Sequence, residues 1–165
     1  MNITKKASVL VGAALVLGSL GTATATASPG TPECVASNLQ VSVHERPSPN
    51  VQDQLFMVIF DAKPGTTCTM KGTLGNLVFH DASGTSLPVP VVSPDPTEAD
   101  EVVVAPDHSK VAYVASKKGT GQGFPVAGAT FTLPSRAPSD RDVKVAWPNS
   151  FSGPARLGYI GEFFG

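Results

Sequence analysis

Three histidines, His44, His80 and His108, are the side chains best suited to chemistry near neutral pH. Imidazole changes charge between about pH 5 and 8 and ligates metals when neutral. A histidine base needs a nucleophile and an orienting acid within reach. Serines are plentiful, yet no G-x-S-x-G elbow occurs, and Gly84-Thr85-Ser86 reads as a turn entering a strand. No two histidines stand in H-E-x-x-H spacing. His44 and His80 fall in the polar phase of predicted strands, where a solvent-facing imidazole needs no special role, and His108 follows Asp107 in a predicted turn. A catalytic reading therefore goes no further than a hydrolase using His80 or His108. No catalytic residue, metal ligand or cofactor is assigned.

Asp95, Glu98, Asp100 and Glu101 gather between two extended segments. Oxygen-rich loops bind calcium, but these acids do not match the EF-hand spacing, and solvated loop acids are common. Gly119–Gly123 follows Lys117-Lys118, the reverse of a phosphate loop, whose lysine comes after its glycines. A hairpin loop is the expectation there. Trp147, Phe151, Tyr159, Phe163 and Phe164 crowd the C-terminal region. Some of them must be core, and an exposed subset would make a binding patch, because aromatic side chains anchor interfaces.

The positions that carry these groups depend first on compartment. Lys5 and Lys6, the apolar run Ala7–Leu17 and the small-residue site Ala25-Thr26-Ala27 read as a cleavable Sec-type signal peptide over residues 1–27. The apolar run is shorter than the roughly 20 residues of a membrane helix, so no membrane span is expected after cleavage and the protein is expected to be secreted. A short Pro/Gly linker, 28–33, leads to a single domain over 34–165. All 13 acidic residues lie beyond the signal, as do all of the 12 basic ones except Lys5 and Lys6. The exported part is thus net acidic, with no basic run longer than Lys117-Lys118, and nucleic-acid binding through phosphate neutralisation is not expected. The two cysteines, Cys34 and Cys68, both fall in the exported part. In an oxidising compartment such a pair is most simply a disulfide. Two reactive thiols, or a metal pair lacking further ligands, are the alternatives.

From Cys34 onward the apolar spacing has period two, the strand signature. Leu39, Val41 and Val43 alternate with polar residues, as do Cys68 and Met70, and Ala129, Phe131 and Leu133. Leu55–Phe60 is apolar throughout and predicts a central strand covered on both faces. Further strands are predicted at 76–81, 101–105, 111–116, 143–147 and 156–160. Leu87, Val89 and Val91 alternate with Pro88 and Pro90, so that piece reads as an edge strand or polyproline-like extension. The 15 prolines and 16 glycines argue against long helices, and 109–118 is the one rival helix. Many short strands with regular turn signals predict an all-β fold, a sandwich or barrel.

Phe56-Met57-Val58-Ile59-Phe60-Asp61, then Pro64-Gly65-Thr66-Thr67-Cys68-Thr69-Met70-Lys71-Gly72, then Leu77-Val78-Phe79-His80-Asp81-Ala82-Ser83-Gly84 resemble the exported actinobacterial proteins grouped as domain of unknown function 4232. That pattern has an early cysteine, matched by Cys34, and a Cys-Thr-Leu-x-Gly segment, matched at Cys68. Its next strand closes in Asp-x-x-Gly. Val102–Pro106 and Val111–Val114 are similar to the second half in rhythm. Two departures stand out: Gly72-Thr73-Leu74-Gly75 replaces the usual Gly-Tyr-Pro turn, and a second cysteine pair is missing. The resemblance implies an immunoglobulin-like antiparallel β-sandwich and export, and it brings no catalytic residues.

The function expected from these observations is a secreted, non-enzymatic binding or interaction module with an extracellular or cell-wall partner. Sandwiches commonly bind through end loops, which here are 45–53, 92–100 and 117–125. A secreted protease inhibitor is the alternative, because the Pro-rich segment Pro88–Pro96 is suited to being held extended in a protease cleft.

Overall fold

Alternation in the sequence becomes alternation in burial. Leu77 and Phe79 are buried while Asn76 and Val78 are exposed, and Val143 and Val145 are buried between exposed Asp142, Lys144 and Ala146. The computed structural model describes residues 30–119 and 123–163. The predicted signal segment 1–27, the middle of the Gly119–Gly123 loop and Phe164 lie outside the described residues.

The described strands are β1 (Leu39–Arg46), β2 (Asp53–Ala62), β3 (Cys68–Lys71), β4 (Gly75–His80), β5 (Ser86–Leu87), β6 (Val91–Val92), β7 (Glu101–Val104), β8 (Lys110–Lys117), β9 (Gly128–Thr132), β10 (Asp142–Ala146) and β11 (Ala155–Gly161). They form a five-stranded sheet in the order β1-β2-β8-β11-β6, a four-stranded sheet β10-β9-β4-β5, and the pair β3-β7. All pairings are antiparallel except β6 with β11. The fold is all-β, and its sheets stay open. The rival helix over 109–118 is instead β8, whose Val111 and Val114 suit a pleated surface better than a helix.

The core lies between the two larger sheets. Phe56, Val58 and Phe60 of β2 and Ala112 and Val114 of β8 share one buried cluster with Leu77 and Phe79 of β4 and Phe131 of β9. Met57 is also buried, at 5% exposure, but lies outside that cluster. Leu55 and Ile59 are only half-buried. The apolar run of β2 thus has one face in the core and the other partly covered.

The Pro-rich piece is the crossover between sheets. Leu87 ends β5 in the four-stranded sheet and Val91 begins β6 in the five-stranded one. Val89 is buried between them, and the Pro90 carbonyl accepts from the Ala155 amide at 2.8 Å. Pro88 and Pro90 have no N–H to place, which fits a segment that leaves one ladder before entering another.

Cys34 and Cys68 form a disulfide, and both are fully buried. It staples the start of the domain to β3. The Cys34 amide donates to the Thr69 carbonyl and the Thr69 amide to the Pro32 carbonyl, each at 2.9 Å. Pro32 and Glu33, in the expected linker, therefore already run beside β3.

Candidate functional site

Turn chemistry builds one end of the five-stranded sheet. Between β1 and β2, the Ser48 hydroxyl accepts from the Asn50 amide at 3.2 Å and the Asn50 side-chain carbonyl accepts from the Gln52 amide at 3.1 Å. Short polar side chains that bond to backbone one or two residues on fix such turns without a ladder. Asp53 then opens β2 opposite Lys117 of β8. The Lys118 amide donates to the Gln52 carbonyl at 2.7 Å. Segments 45–53 and 117–119 thereby become one rim.

A third stretch closes the rim from the side. Gln54 donates through Nε2 to the Ser150 carbonyl at 3.1 Å and accepts at Oε1 from the Ser152 amide at 3.2 Å. Asn149 Nδ2 donates to Glu45 Oε2. The resulting hollow, about 310 Å³, is lined by Glu45, Arg46, Pro47, Ser48, Asp53, Gln54 and Lys118. Its rim mixes both charge signs. Asp53, one of the lining residues, pairs through Oδ2 with Arg156 Nη2 at 3.1 Å, and its side chain is only 16% exposed. Val51, at 80% exposure, and Val92, at 57%, are apolar side chains left open to solvent. Val92 stands opposite Arg156 in the β6–β11 pairing, which puts both at the same level of the sheet.

Of the three end segments expected from sequence, 45–53 and the described part of 117–125 meet here, and 92–100 touches this end only through Val92. Its acids go elsewhere. Asp95 accepts from the Thr97 amide at 2.9 Å and the Thr97 hydroxyl at 2.8 Å, and these bonds hold its carboxyl below the usual range. Tyr159 donates its hydroxyl to the Asp95 carbonyl at 2.8 Å and to Glu98 Oε2 at 3.1 Å. Partial loss of water, then the bond to Glu98, pushes that phenol up. Among the described residues no three His, Cys, Asp or Glu side chains gather at metal-binding distance.

The histidines do not assemble a catalytic relay. His44 is exposed on β1. His80 meets Thr130 Oγ1 through Nε2 at 2.9 Å, and its buried Nδ1 has no partner, so no acid orients the ring. His108 closes a turn, its amide donating to the Ala105 carbonyl at 2.9 Å. Ser109 next to it donates to Asp61 rather than to an imidazole. The aromatic residues divide as expected: Trp147 and Phe151 are core, and Phe163 is half-exposed.

Gln54, Asn149, Ser150 and Arg156 were not singled out by sequence reasoning. Nothing local marks them, since they reach the rim only through the long-range pairing of β2, β8 and β11.

The family model for a domain of unknown function, DUF4232, matches residues 34–159. The chain belongs to the DUF4232 family. The DUF4232 match begins at Cys34 and so takes in both ends of the disulfide, the whole loop end and most of β11. No curated protein and no solved structure matches this DUF4232 chain.

Proposed function

We propose that this DUF4232 chain is a secreted, non-enzymatic binding module, built as an immunoglobulin-like sandwich and exported by residues 1–27, that grips an extracellular or cell-wall partner at its loop end. The observation that carries the reading is the convergence of 45–54, 117–119 and 149–152 around one mixed-charge hollow, with exposed Val51 on the rim. Loops held on a rigid sheet are the usual location of recognition in sandwich proteins. Two stacked sheets with an aromatic core between them support the immunoglobulin-like architecture.

His80 has a hydroxyl at hand, Thr130 Oγ1, but its Nδ1 has no acid to orient the ring, and Ser109 beside His108 is bonded to Asp61, which favours binding over hydrolysis. The inhibitor alternative draws less support. Val89 is in the core, Val91–Val92 pair with β11, and Asp95 is held by Tyr159, so Pro88–Pro96, although exposed at Pro88, Pro90, Val92 and Pro96, is pinned to the sheet rather than projected as a free strand. Affinity capture tests the proposal: the protein, immobilised, should enrich a component of culture supernatant or cell wall, and Glu45→Lys with Lys118→Glu should lose it. Equal capture by the charge-reversed variant assigns binding to another surface. N-terminal sequencing of the medium fraction should begin at Ser28.

A further inference from the structure

Lys110 is the one charged residue that is buried among the described residues, at 5% exposure. Its ammonium meets both oxygens of Glu162, at 2.8 Å and 2.9 Å. Glu162 is 68% exposed and sits just past the end of β11. Burying an ammonium is costly unless it is paired, so the charge balance at the start of β8 depends on a residue just beyond the last described strand. The next residue makes a different contact. The Phe163 ring lies 4.7 Å from the Arg46 guanidinium carbon, within the range of a cation–π attraction.

The register places these two anchor points far apart. Lys110 pairs with Phe60, which pairs with Val41, whereas Arg46 pairs with Leu55 at the other end of β1. Val41 and Arg46 are about 16 Å apart along the strand, at about 3.3 Å per residue. Two adjacent residues therefore reach from the β8–β11 seam back toward β1. That seam is itself weak, because a register shift between Leu157 and Ile160 leaves only Ile160 opposite Ala112 and Gly161 opposite Val111 beyond it.

We propose that Glu162 and Phe163 form a detachable latch, the carboxylate seating on the Lys110 ammonium and the ring on the Arg46 guanidinium, that holds the end of β11 in register. Release leaves the Lys110 charge without its carboxylate, so either water enters or the β8–β11 seam opens at Val111–Ala112. The seat is a receptor for an acidic–aromatic dipeptide, and it accepts that segment supplied separately.

A double-mutant cycle and a complementation experiment test this. Glu162→Gln should lower Tm by about 5 °C, whereas in a Lys110→Met background the same substitution should cost almost nothing. A chain ending at Gly161 should melt lower by a similar amount, with faster amide exchange at Val111 and Ala112. The peptide Gly-Glu-Phe-Phe-Gly at millimolar concentration should recover at least half of that loss, and Gly-Gln-Phe-Phe-Gly should not. A Glu162→Gln loss that is the same with and without Lys110, or no recovery with the acidic peptide, overturns the proposal. Should the truncated chain fail to fold, the cycle on the full chain still decides it.

Discussion

Phe56 of β2 and Trp147, just past β10, meet across the two sheets with ring centroids 5.0 Å apart. Phe79 and Phe151 complete the group, with Phe79 edge-on to Trp147 at 4.9 Å and Phe151 at 5.3 Å from Phe56. Aromatic packing of this kind joins the sheets more than any single hydrogen bond does. Phe56→Ala should cost about 3–5 kcal/mol, the range for deleting a buried phenylalanine. Trp147 is the single tryptophan and is 5% exposed. Its emission should be blue-shifted in the native protein and move red in one step with denaturant. Chemical denaturation followed by that emission checks both statements.

The Cys34–Cys68 bridge has no exposed surface. Native protein should therefore resist mild reductant, and reduction should follow unfolding. Replacing both cysteines by alanine should lower stability by about 3–4 kcal/mol on the chain-entropy model. Urea curves of the two forms, each extrapolated to water with its own slope, would give the difference, and the slope should rise without the bridge because the unfolded chain is then less compact.

Three aspartates predict the acid limb of stability. The Ser37 side chain and then its amide hold the Asp140 carboxyl below its usual 3.8, with Lys63 adding attraction. Asp81 is lowered first by the Ser83 hydroxyl and then by the Thr85 amide, and Asp95 by the Thr97 amide and hydroxyl. A depressed folded value means the native state binds fewer protons than the unfolded chain as pH falls past the usual value. The stabilisation is thus complete above about pH 4 and disappears as pH drops through the folded values. Tm should be flat with respect to these groups from pH 7 to about 5 and fall below about pH 4. Asp140→Asn should show a shallower acid limb than the parent, and an identical limb would remove Asp140 from the account.

Gly123 packs where a side chain does not fit. A Cβ there would come within 2.7 Å of the Phe151 carbonyl oxygen. That oxygen already accepts from the Phe124 amide at 2.6 Å, in the bridge that seats Phe151. Gly123→Ala should cost about 1–3 kcal/mol, the usual range for overpacking, and should perturb Trp147 emission in the folded state. Unchanged stability would mean that this bridge yields easily.

Strand positions were readable from sequence wherever one face meets the core. The alternation at Ala129–Leu133 and the strand expected at 76–81 matched β9 and β4 to within a residue, and that at Leu39–Val43 found the start of β1 but not its end at Arg46, because period-two burial leaves a direct trace in residue type. The disulfide followed from the cysteine count together with the expectation of export. Two features were not readable. The apolar alternation through Pro88 and Pro90 suggested one extended piece, and the structure splits it into β5 and β6 in different sheets, a choice set by tertiary packing of Val89 rather than by local pattern. The loop end was half legible: 45–53 was expected as an end loop of a sandwich, but Gln54, Asn149 and Arg156 arrive through pairings more than ninety residues apart in sequence. Nothing in the sequence marks Lys110, and only its burial against Glu162 distinguishes it.

Site-directed photo-crosslinking tests the central claim most directly. A photoreactive residue at Val51, on the loop end, and another at Lys144, on the outer face of the four-stranded sheet, sample two different exposed surfaces. On exposure to culture supernatant and cell wall, the Val51 probe should give a discrete adduct that Glu45→Lys and Lys118→Glu abolish, and the Lys144 probe should give none. An adduct at Lys144 with none at Val51 contradicts recognition at the loop end.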